Sequence, residues 1–210
     1  MAITDKGLLL VLSGPAGTGK GTVVKSILEK DSMVKLSVSA TTRLPRPGEI
    51  DGVHYSFVTK EDFERMIDSD EMLEYTNYCG NYYGTPKKSV TDMLEAGISV
   101  ILEIELEGAL NVRRLCPDAI SVLLLPPDFA TLEARLRGRG TNTEDDIRNR
   151  LDRALTEVGH FSDYDYVVIN DDGKSSDAAD EILRILFAER HRTARNKSIP
   201  SDFFARSNKN

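Results

Sequence analysis

The residues from Leu8 to Thr22 (LLLVLSGPAGTGKGT) combine a glycine-rich loop with a lysine and could hold a phosphate group. Gly14, Gly17 and Gly19 allow tight backbone turns that direct several N–H groups towards one point, so that the backbone itself can bind an anion. Lys20 follows the last of these glycines and would add a positive charge that reaches the β- and γ-phosphates of a nucleotide. The spacing therefore predicts a phosphate-binding loop rather than a loop that only turns the chain.

This loop needs a strand before it and a helix after it. Leu8 to Leu12 are five consecutive apolar residues, which is typical of a strand buried on both faces of a parallel sheet. Lys20 to Lys30 has the pattern of a helix, whose positive N-terminal end would face the same phosphate. The next hydroxyl, Thr22, comes one position later than in the strict motif because Gly21 precedes it. Whether Thr22 binds Mg²⁺ directly, or the ion is held through water and phosphate, stays open at this point.

Length and composition are those of an ordinary globular protein. The 210 residues are 40% hydrophobic and 29% charged, which is enough for one domain with inserted lobes. The net charge of −7 disfavours nucleic acid as the main partner, because a protein that binds a phosphate backbone needs a basic excess. No apolar run approaches the roughly 20 residues of a membrane span, and residues 1–7 lack the layout of a signal peptide, so we expect a cytoplasmic protein with no membrane partner.

The cysteines and histidines do not indicate a metal site. Cys79 and Cys116 are isolated, and His54, His160 and His191 have no ligand spacing with them or with each other. We therefore expect neither a metal ligand nor a disulfide among them.

Apolar segments between polar turns predict an α/β fold with a parallel sheet flanked by helices. The predicted strands are Lys35 to Ser39, Val53 to Val58, Met72 to Tyr78, Ile98 to Glu105, Ile120 to Leu125 and Tyr166 to Ile169. One helix is predicted to begin near Lys60. The other predicted helices are Pro86 to Ala96, Gly108 to Leu115, Phe129 to Arg137 and Asp177 to about Arg195. The second and third of these strands are expected to be antiparallel, within a lobe inserted from Ser37 to about Lys88. The last segment, Asn196 to Asn210, has few apolar residues and is expected to be loosely held.

Arginines and tyrosines in the inserted lobe are candidates for binding a second phosphorylated ligand. Arg43 and Arg46 lie in a loop rich in proline and glycine, where they could bind an anion or simply be solvated. The phosphate loop already implies one phosphorylated ligand, and an arginine-bearing lobe is what a phosphate acceptor would need. Tyr55, Tyr82 and Tyr83 could donate to phosphate oxygens or pack in a small core.

Two carboxylates and a run of arginines are further candidates. Glu103 and Glu105 have period-2 spacing on a predicted strand, so they would point to one side, where Mg²⁺, an arginine or a ligand could compensate their charge unless they lie at the surface. Five arginines follow between residues 135 and 150: Arg135, Arg137, Arg139, Arg148 and Arg150. Arg139 lies between two glycines, where a hinged flap could carry it onto a phosphate. The alternative, mainly for Arg137 and Arg148, is a solvated helix face paired with neighbouring acidic residues.

Six motifs in a fixed order resemble the guanylate kinase family. They are GPAGTGKGT, SVSATTRLPRPGEIDGVHY, GNYYGTP, LEIELEGA, RLRGRGT and VVINDD, and the resemblance runs from about Leu8 to Leu186. It implies a P-loop NTPase-type core (residues 1–36, 89–136 and 151–196), a GMP-binding lobe (about 37–88), a lid (about 137–150) and a tail (197–210). It also implies transfer of the γ-phosphoryl group of ATP to GMP, with ATP as co-substrate and Mg²⁺ as cofactor.

The resemblance also implies a role for each matching residue. ATP would be bound by Gly14, Pro15, Ala16, Gly17, Thr18, Gly19, Lys20, Gly21, Thr22 and, near the adenine, by Asn170, which could otherwise be a turn residue. GMP would be bound by Ser39, Glu74 and Thr85 at the guanine, by Arg43, Arg46, Tyr55 and Tyr83 at the phosphate, and by Glu103 and Glu105. Charge on the transferred group would be neutralised by Lys20, Arg43, Arg135, Arg139 and Arg150. No side chain is assigned as a metal ligand.

The chain departs from the family pattern at three positions. Gly21 replaces the usual hydroxyl residue, Glu105 stands where aspartate is frequent, and Glu107 stands where glutamine is frequent. Two alternatives to a GMP kinase remain: a catalytically inactive guanylate-kinase-like module that binds protein partners, and a kinase for another nucleoside monophosphate. The presence of Gly14, Gly19 and Lys20 opposes the first and Glu74 in its motif opposes the second. The oligomeric state is not predicted.

Overall fold

The computed structural model describes residues 5–78, 80–138 and 143–207 and contains nine strands and eight α-helices in these ranges. The strands are β1 (Leu9–Ser13), β2 (Val34–Leu36), β3 (Ala40–Thr41), β4 (Ser56–Phe57), β5 (Met72–Tyr78), β6 (Asn81–Pro86), β7 (Ser99–Glu103), β8 (Ile120–Leu125) and β9 (Tyr166–Ile169). The helices are α1 (Lys20–Lys30), α2 (Lys60–Asp68), α3 (Lys87–Glu95), α4 (Leu106–Leu115), α5 (Phe129–Gly138), α6 (Glu144–Gly159), α7 (Ser175–Arg190) and α8 (Ile199–Ser207).

Five parallel strands form the main sheet, in the order β2-β7-β1-β8-β9. β1 lies in the middle, and all five of its residues are buried. Its side chains alternate between the two faces: Leu10 and Leu12 pack with residues of α1 and α7, whereas Leu9 and Val11 pack with residues of α3 and α4. The predicted two-sided burial of this strand is therefore confirmed. Its C-terminal end delivers the glycine loop to the sheet edge at which such folds bind ligands.

The second sheet has four strands in the order β4-β3-β6-β5, and it is inserted between β2 and β7 in the sequence. β5 and β6 are antiparallel, with Glu74 opposite Thr85 and Thr76 opposite Tyr83. Because residues two apart share one face of a strand, these four side chains lie on one face of the hairpin. Phe63 of α2 belongs to the core of this sheet and is fully buried.

Helices α5 and α6 pack against each other through Leu132, Leu136, Ile147 and Ala154. Thr143 begins α6 with a capping box, in which its side chain accepts from the Asp146 N–H and the Asp146 side chain accepts from the Thr143 N–H. This pair of helices carries the predicted lid arginines on either side of residues 139–142, which lie outside the described ranges.

Two strand predictions are wrong in extent or pairing. The strand predicted at Lys35 to Ser39 is β2, which ends at Leu36 because the chain then crosses to the second sheet. The antiparallel strand predicted at Val53 to Val58 is only β4, and it pairs in parallel with β3. The N–H groups of Val53 and His54 are used in a turn, where both donate to the carbonyl oxygen of Ile50. Strand β6 was not predicted, since glycine and proline interrupt its pattern.

The helix predictions need corrections of a similar kind. The strand predicted to reach Glu105 ends at Glu103, and Glu105 is instead the N-cap residue of α4, which begins before the predicted Gly108. Helix α6 was not predicted, because the arginines and acidic residues in this segment obscure its apolar positions. The last long helix ends at Arg190 and is followed by a separate 3₁₀ turn, and helix α8 lies in the segment expected to be loosely held. Within the described ranges, no helix is long and apolar enough to cross a lipid bilayer.

Candidate active site

The three glycines of the phosphate loop have backbone conformations that side chains rarely adopt. The φ angle is 146° at Gly14, 99° at Gly17 and 89° at Gly19. A Cβ atom at Gly14 would lie 2.2 Å from the carbonyl oxygen of Leu124, and one at Gly19 would lie 2.5 Å from Nδ2 of Asn170. Both conformation and space therefore require glycine at the first and last of these positions.

Lys20 begins α1 and folds back over the loop. Its ammonium group donates to the carbonyl oxygen of Gly14 and, at 3.3 Å, to that of Pro15. In α1, all of which is described, no side chain caps the first turn and no acidic residue lies there. The N–H groups of the turn are thus available to an anion, and the lysine is held beside them. This is the arrangement that the sequence predicted for a phosphate site.

Asn170, directly after β9, and Arg135 of α5 form hydrogen bonds that hold the phosphate loop in place. Asn170 donates from Nδ2 to the carbonyl oxygen of Thr18 at 2.7 Å, and Arg135 donates to the carbonyl oxygen of Asn170 at 2.8 Å and to Asp172 at 2.6 Å. Two buried oxygens remain here, Oγ1 of Thr18 and Oδ1 of Asn170, and neither has a hydrogen-bond partner among the described residues. Buried polar atoms are usually paired, so these two oxygens are exceptions beside the phosphate loop.

A cavity of about 690 Å³ separates the second sheet from the end of β7, the start of α4 and one side of α6. The predicted GMP-binding residues that line it are Ser39, Arg43, Arg46, Tyr55, Glu74, Tyr83, Glu103 and Glu105. Thr85, the remaining predicted residue, is fully buried outside this lining and donates a hydrogen bond to Glu74. Segments that are far apart in the sequence therefore converge on one space.

Glu74 is a buried carboxylate in the lining of this cavity, with 5% of its surface exposed. Thr85 donates from its hydroxyl to Oε1 of Glu74 at 2.7 Å, as the cross-strand pairing of the two residues requires. Burial raises the pKa of the Glu74 carboxyl, and the hydrogen bonds from Thr85 act against this rise. One carboxylate oxygen is thus satisfied by the protein, and the group can accept further hydrogen bonds from a ligand that offers N–H donors.

Arg43 is held by a carboxylate that the sequence analysis did not assign. Its two Nη atoms donate to the two oxygens of Glu49 at 3.0 and 2.9 Å, and the N–H of Arg46 donates to the same carboxylate at 2.7 Å. The Arg43 guanidinium also lies 5.5 Å from the ring centre of Tyr55. The pKa of Glu49 is lowered to about 2, chiefly by the hydrogen bond from Arg43. These contacts orient the cation at the cavity wall.

Three further carboxylates, those of Glu103, Glu105 and Glu157, line the cavity. Burial raises the pKa values of Glu103 and of Glu157, and the nearby positive charge of Lys20 lowers both. Glu105 is more exposed and accepts a hydrogen bond from Arg153 at 2.9 Å. Glu103 lines the cavity, and its Oε1 atom lies 3.9 Å from the position of a Cβ atom at Gly21, next to Lys20. The cavity and the phosphate loop are therefore adjacent parts of one site.

The remaining predicted residues are less closely joined to this site. Thr22 is exposed on the first turn of α1, and Arg150 is half-buried on α6. In the described part of the chain, no hydrogen bond or ion pair joins Arg150 to the loop or to the cavity. Arg137 pairs with Glu133 and Glu144, as expected for the solvated helix face. Arg139 and Cys79 lie outside the described residues.

Comparisons with known proteins agree with this geometry. The family model described as guanylate kinase matches residues 6–189. The chain belongs to the guanylate kinase family. A guanylate kinase of Clostridioides difficile (strain 630) is 48% identical over 194 residues, which are 92% of this chain and 94% of that protein. A guanylate kinase of Halalkalibacterium halodurans is 49% identical over 185 residues, which are 88% of this chain and 90% of that protein.

A solved structure also supports the fold. The crystal structure of guanylate kinase from Anaplasma phagocytophilum matches with a TM-score of 0.73 and 34% identity, and the match covers 92% of this chain and 91% of that one. The expected P-loop kinase architecture of a parallel core sheet with an inserted second sheet is therefore confirmed for this family member.

Sequence reasoning missed several residues of the cavity lining, namely Thr76, Asn77, Gly108, Arg153, Thr156 and Glu157. It also missed Glu49, which is bound to Arg43. Two of them had a detectable signal: Thr76 is two residues from Glu74 on a predicted strand and so shares its face, and Glu49 follows Arg43 closely in one loop. The α6 residues also had a signal, since Ile147, Leu151 and Ala154 have helical spacing behind the capping residue Thr143, but the helix was not predicted.

Proposed function

We propose that this guanylate kinase family member transfers the γ-phosphoryl group of ATP to GMP, and that its residues divide into a donor side at the phosphate loop and an acceptor side in the cavity. The observation that supports this division is the convergence of eight predicted GMP-binding residues on one cavity that adjoins Lys20. We also propose that it acts in the cytoplasm, where both nucleotides are available.

On the donor side, the loop amides and Lys20 bind the β- and γ-phosphates of ATP. To do so, Lys20 exchanges its hydrogen bonds to the Gly14 and Pro15 carbonyls for phosphate oxygens. Arg135 donates hydrogen bonds to Asn170 and Asp172 and thereby holds the segment after β9 beside the loop. Asn170 lies next to the adenine, and Arg135, Arg139 and Arg150 remain predictions for neutralising charge on the transferred group.

On the acceptor side, Arg43 and Arg46 bind the phosphate of GMP together with Tyr55 and Tyr83. Ser39, Glu74 and Thr85 bind the guanine. Guanine offers N1–H and the N2 amine on one edge, and a carboxylate such as that of Glu74 can accept from both. No general base is needed, because the GMP phosphate is already an anionic nucleophile. Catalysis consists of aligning the two phosphates, neutralising their charge and excluding water.

Mg²⁺ fits the donor atoms near the loop. Thr22 and Glu103 offer oxygen ligands there, and Oε1 of Glu103 lies 3.9 Å from the position of a Cβ atom at Gly21. Among the described residues, no group of three or more His, Cys, Asp or Glu side chains could hold a metal ion by itself. Mg²⁺ in nucleotide sites is bound largely by phosphates and water. When bound, Mg²⁺ would supply charge neutralisation at the β- and γ-phosphates, and Glu103 and Thr22 would hold it directly or through water.

A substrate panel tests this proposal. ATP with GMP, AMP, CMP or UMP is incubated with the protein, and ADP formation is followed in a coupled assay. We expect rapid ADP formation only with GMP, and little with ATP alone. Equal turnover with AMP would support a kinase for another monophosphate. Nucleotide binding without turnover would support the inactive interaction module instead.

A further inference from the structure

Gly108, in the first turn of α4, is a buried glycine that lines the cavity. Its backbone is helical, so that a φ requirement does not account for it, and glycine is less favourable than alanine in a helix. A Cβ atom at this position would lie 3.1 Å from Oε2 of Glu74 and 3.4 Å from Cβ of Ile104. The absence of a side chain at Gly108 leaves space for the Glu74 carboxylate. The backbone conformation does not require glycine here.

Glu74 cannot readily move away from such a side chain. Its other oxygen, Oε1, accepts the 2.7 Å hydrogen bond from Thr85, and both residues are buried on paired strands. The N-terminal turn of α4 lies against Oε2, and the positive end of a helix favours a carboxylate there. The carboxylate therefore lies between the Thr85 hydroxyl on one side and the backbone of α4 at Gly108 on the other.

We infer that Gly108 is a specificity-determining position, at which the absence of a side chain lets Glu74 lie on the first turn of α4 and face the base in the cavity. This inference rests on the proposed role of Glu74 in binding guanine. Gly108 is a positioning residue, since it acts through Glu74. An added methyl group shifts Oε2 by a few tenths of an ångström, which misaligns the two hydrogen bonds that guanine would donate.

The test compares GMP with inosine monophosphate (IMP), which lacks the 2-amino group. For Gly108→Ala we expect kcat/KM for GMP to fall about tenfold, the size of one weakened hydrogen bond to a charged group, and the GMP preference over IMP to fall with it. ATP affinity, measured with a fluorescent ATP analogue, should remain unchanged and shows that the variant is folded. The matched control is Gly159→Ala, since a Cβ atom at this helical glycine meets nothing within 4 Å.

A double-mutant cycle with Glu74→Gln separates positioning from a general effect on structure. If Gly108 acts through Glu74, Gly108→Ala should change the GMP preference in the wild-type background and have little further effect in the Glu74→Gln background. Equal losses in both backgrounds, or an unchanged GMP preference in Gly108→Ala, would overturn the inference. Glu74→Gln with wild-type discrimination would overturn it as well, by removing the role of Glu74. GMP turnover by the wild type is a separate readout, so the proposed activity stands or fails independently.

Discussion

The phosphate loop and the acceptor cavity are built in different ways. The loop is a continuous segment in which glycine geometry leaves almost no spare space, as the 2.2 Å approach to Leu124 at Gly14 shows. The cavity is assembled from separate segments around about 690 Å³ of open space. The loop cation, Lys20, is held by backbone carbonyls, whereas the cavity cation, Arg43, is held by the Glu49 carboxylate.

This difference follows from what each side must bind. A triphosphate can be bound by backbone N–H groups and one mobile charge, so a local motif is sufficient. A monophosphate attached to a particular base needs side chains at both of its ends, and no single segment of the chain can supply them. Carbonyl oxygens are neutral and release Lys20 at little electrostatic cost, whereas Glu49 keeps a full negative charge beside the cation that binds the acceptor phosphate.

Removal of Lys20 should give the largest effect. We expect Lys20→Ala to lower kcat at least about a hundredfold, because one charge aimed at the transition state typically contributes about 3 to 4 kcal/mol. The measurement is steady-state ADP formation with ATP and GMP, together with thermal unfolding. Lys25→Ala is the matched control, since Lys25 lies on the same helix with 78% of its side chain exposed. Near-normal turnover in a folded Lys20→Ala protein would contradict the donor-side assignment.

Removal of Arg43 should affect the acceptor side alone. We expect Arg43→Ala to raise KM for GMP about tenfold to a hundredfold, as a lost hydrogen bond to a charged group predicts, while KM for ATP changes little. Arg65→Ala serves as the control, because Arg65 is an exposed residue of α2 paired with Asp62. A variant in which both KM values rise equally would show that the two sides are not separable in this way.

The phosphate loop and the cavity also differ in how far each could be predicted from the sequence. The loop, β1 and α1 follow from local spacing and apolar pattern, and their bounds agree closely with the structure. The cavity residues were found mainly through the family resemblance, because the pairing of Glu74 with Thr85 depends on the β5–β6 register. A register of this kind is set by non-local contacts that a single sequence does not display.

Two wrong secondary-structure predictions show where local sequence patterns were insufficient. Glu105 was placed on a strand beside Glu103, but the chain begins α4 directly after it and turns its side chain towards Arg153. Helix α6 was missed since its apolar residues, among them Ile147 and Ala154, are separated by charged ones that serve the solvent face. Glu105 thus shows where a strand pattern runs on into a helix cap, whereas α6 has a helical pattern that its many charged residues obscure.

The Arg43–Glu49 pair should give the smallest effect, and it tests how firmly the acceptor side is organised before substrate binds. The pKa of Glu49 is about 2, below its ordinary value of 4.5, because Arg43 and the Arg46 N–H donate to its carboxylate. A lowered folded-state pKa contributes stability that is fully present above pH 4.5 and is lost as the pH falls towards 2. At a pH between these two values, Glu49 should therefore remain ionised in the wild type. The side-chain carboxyl carbon of Glu49, followed by NMR, should show this directly. Arg43→Ala should return the titration towards the ordinary value, and Arg65→Ala should leave it unchanged. An ordinary pKa in the wild type would mean that the acceptor arginine is not held in place until GMP binds.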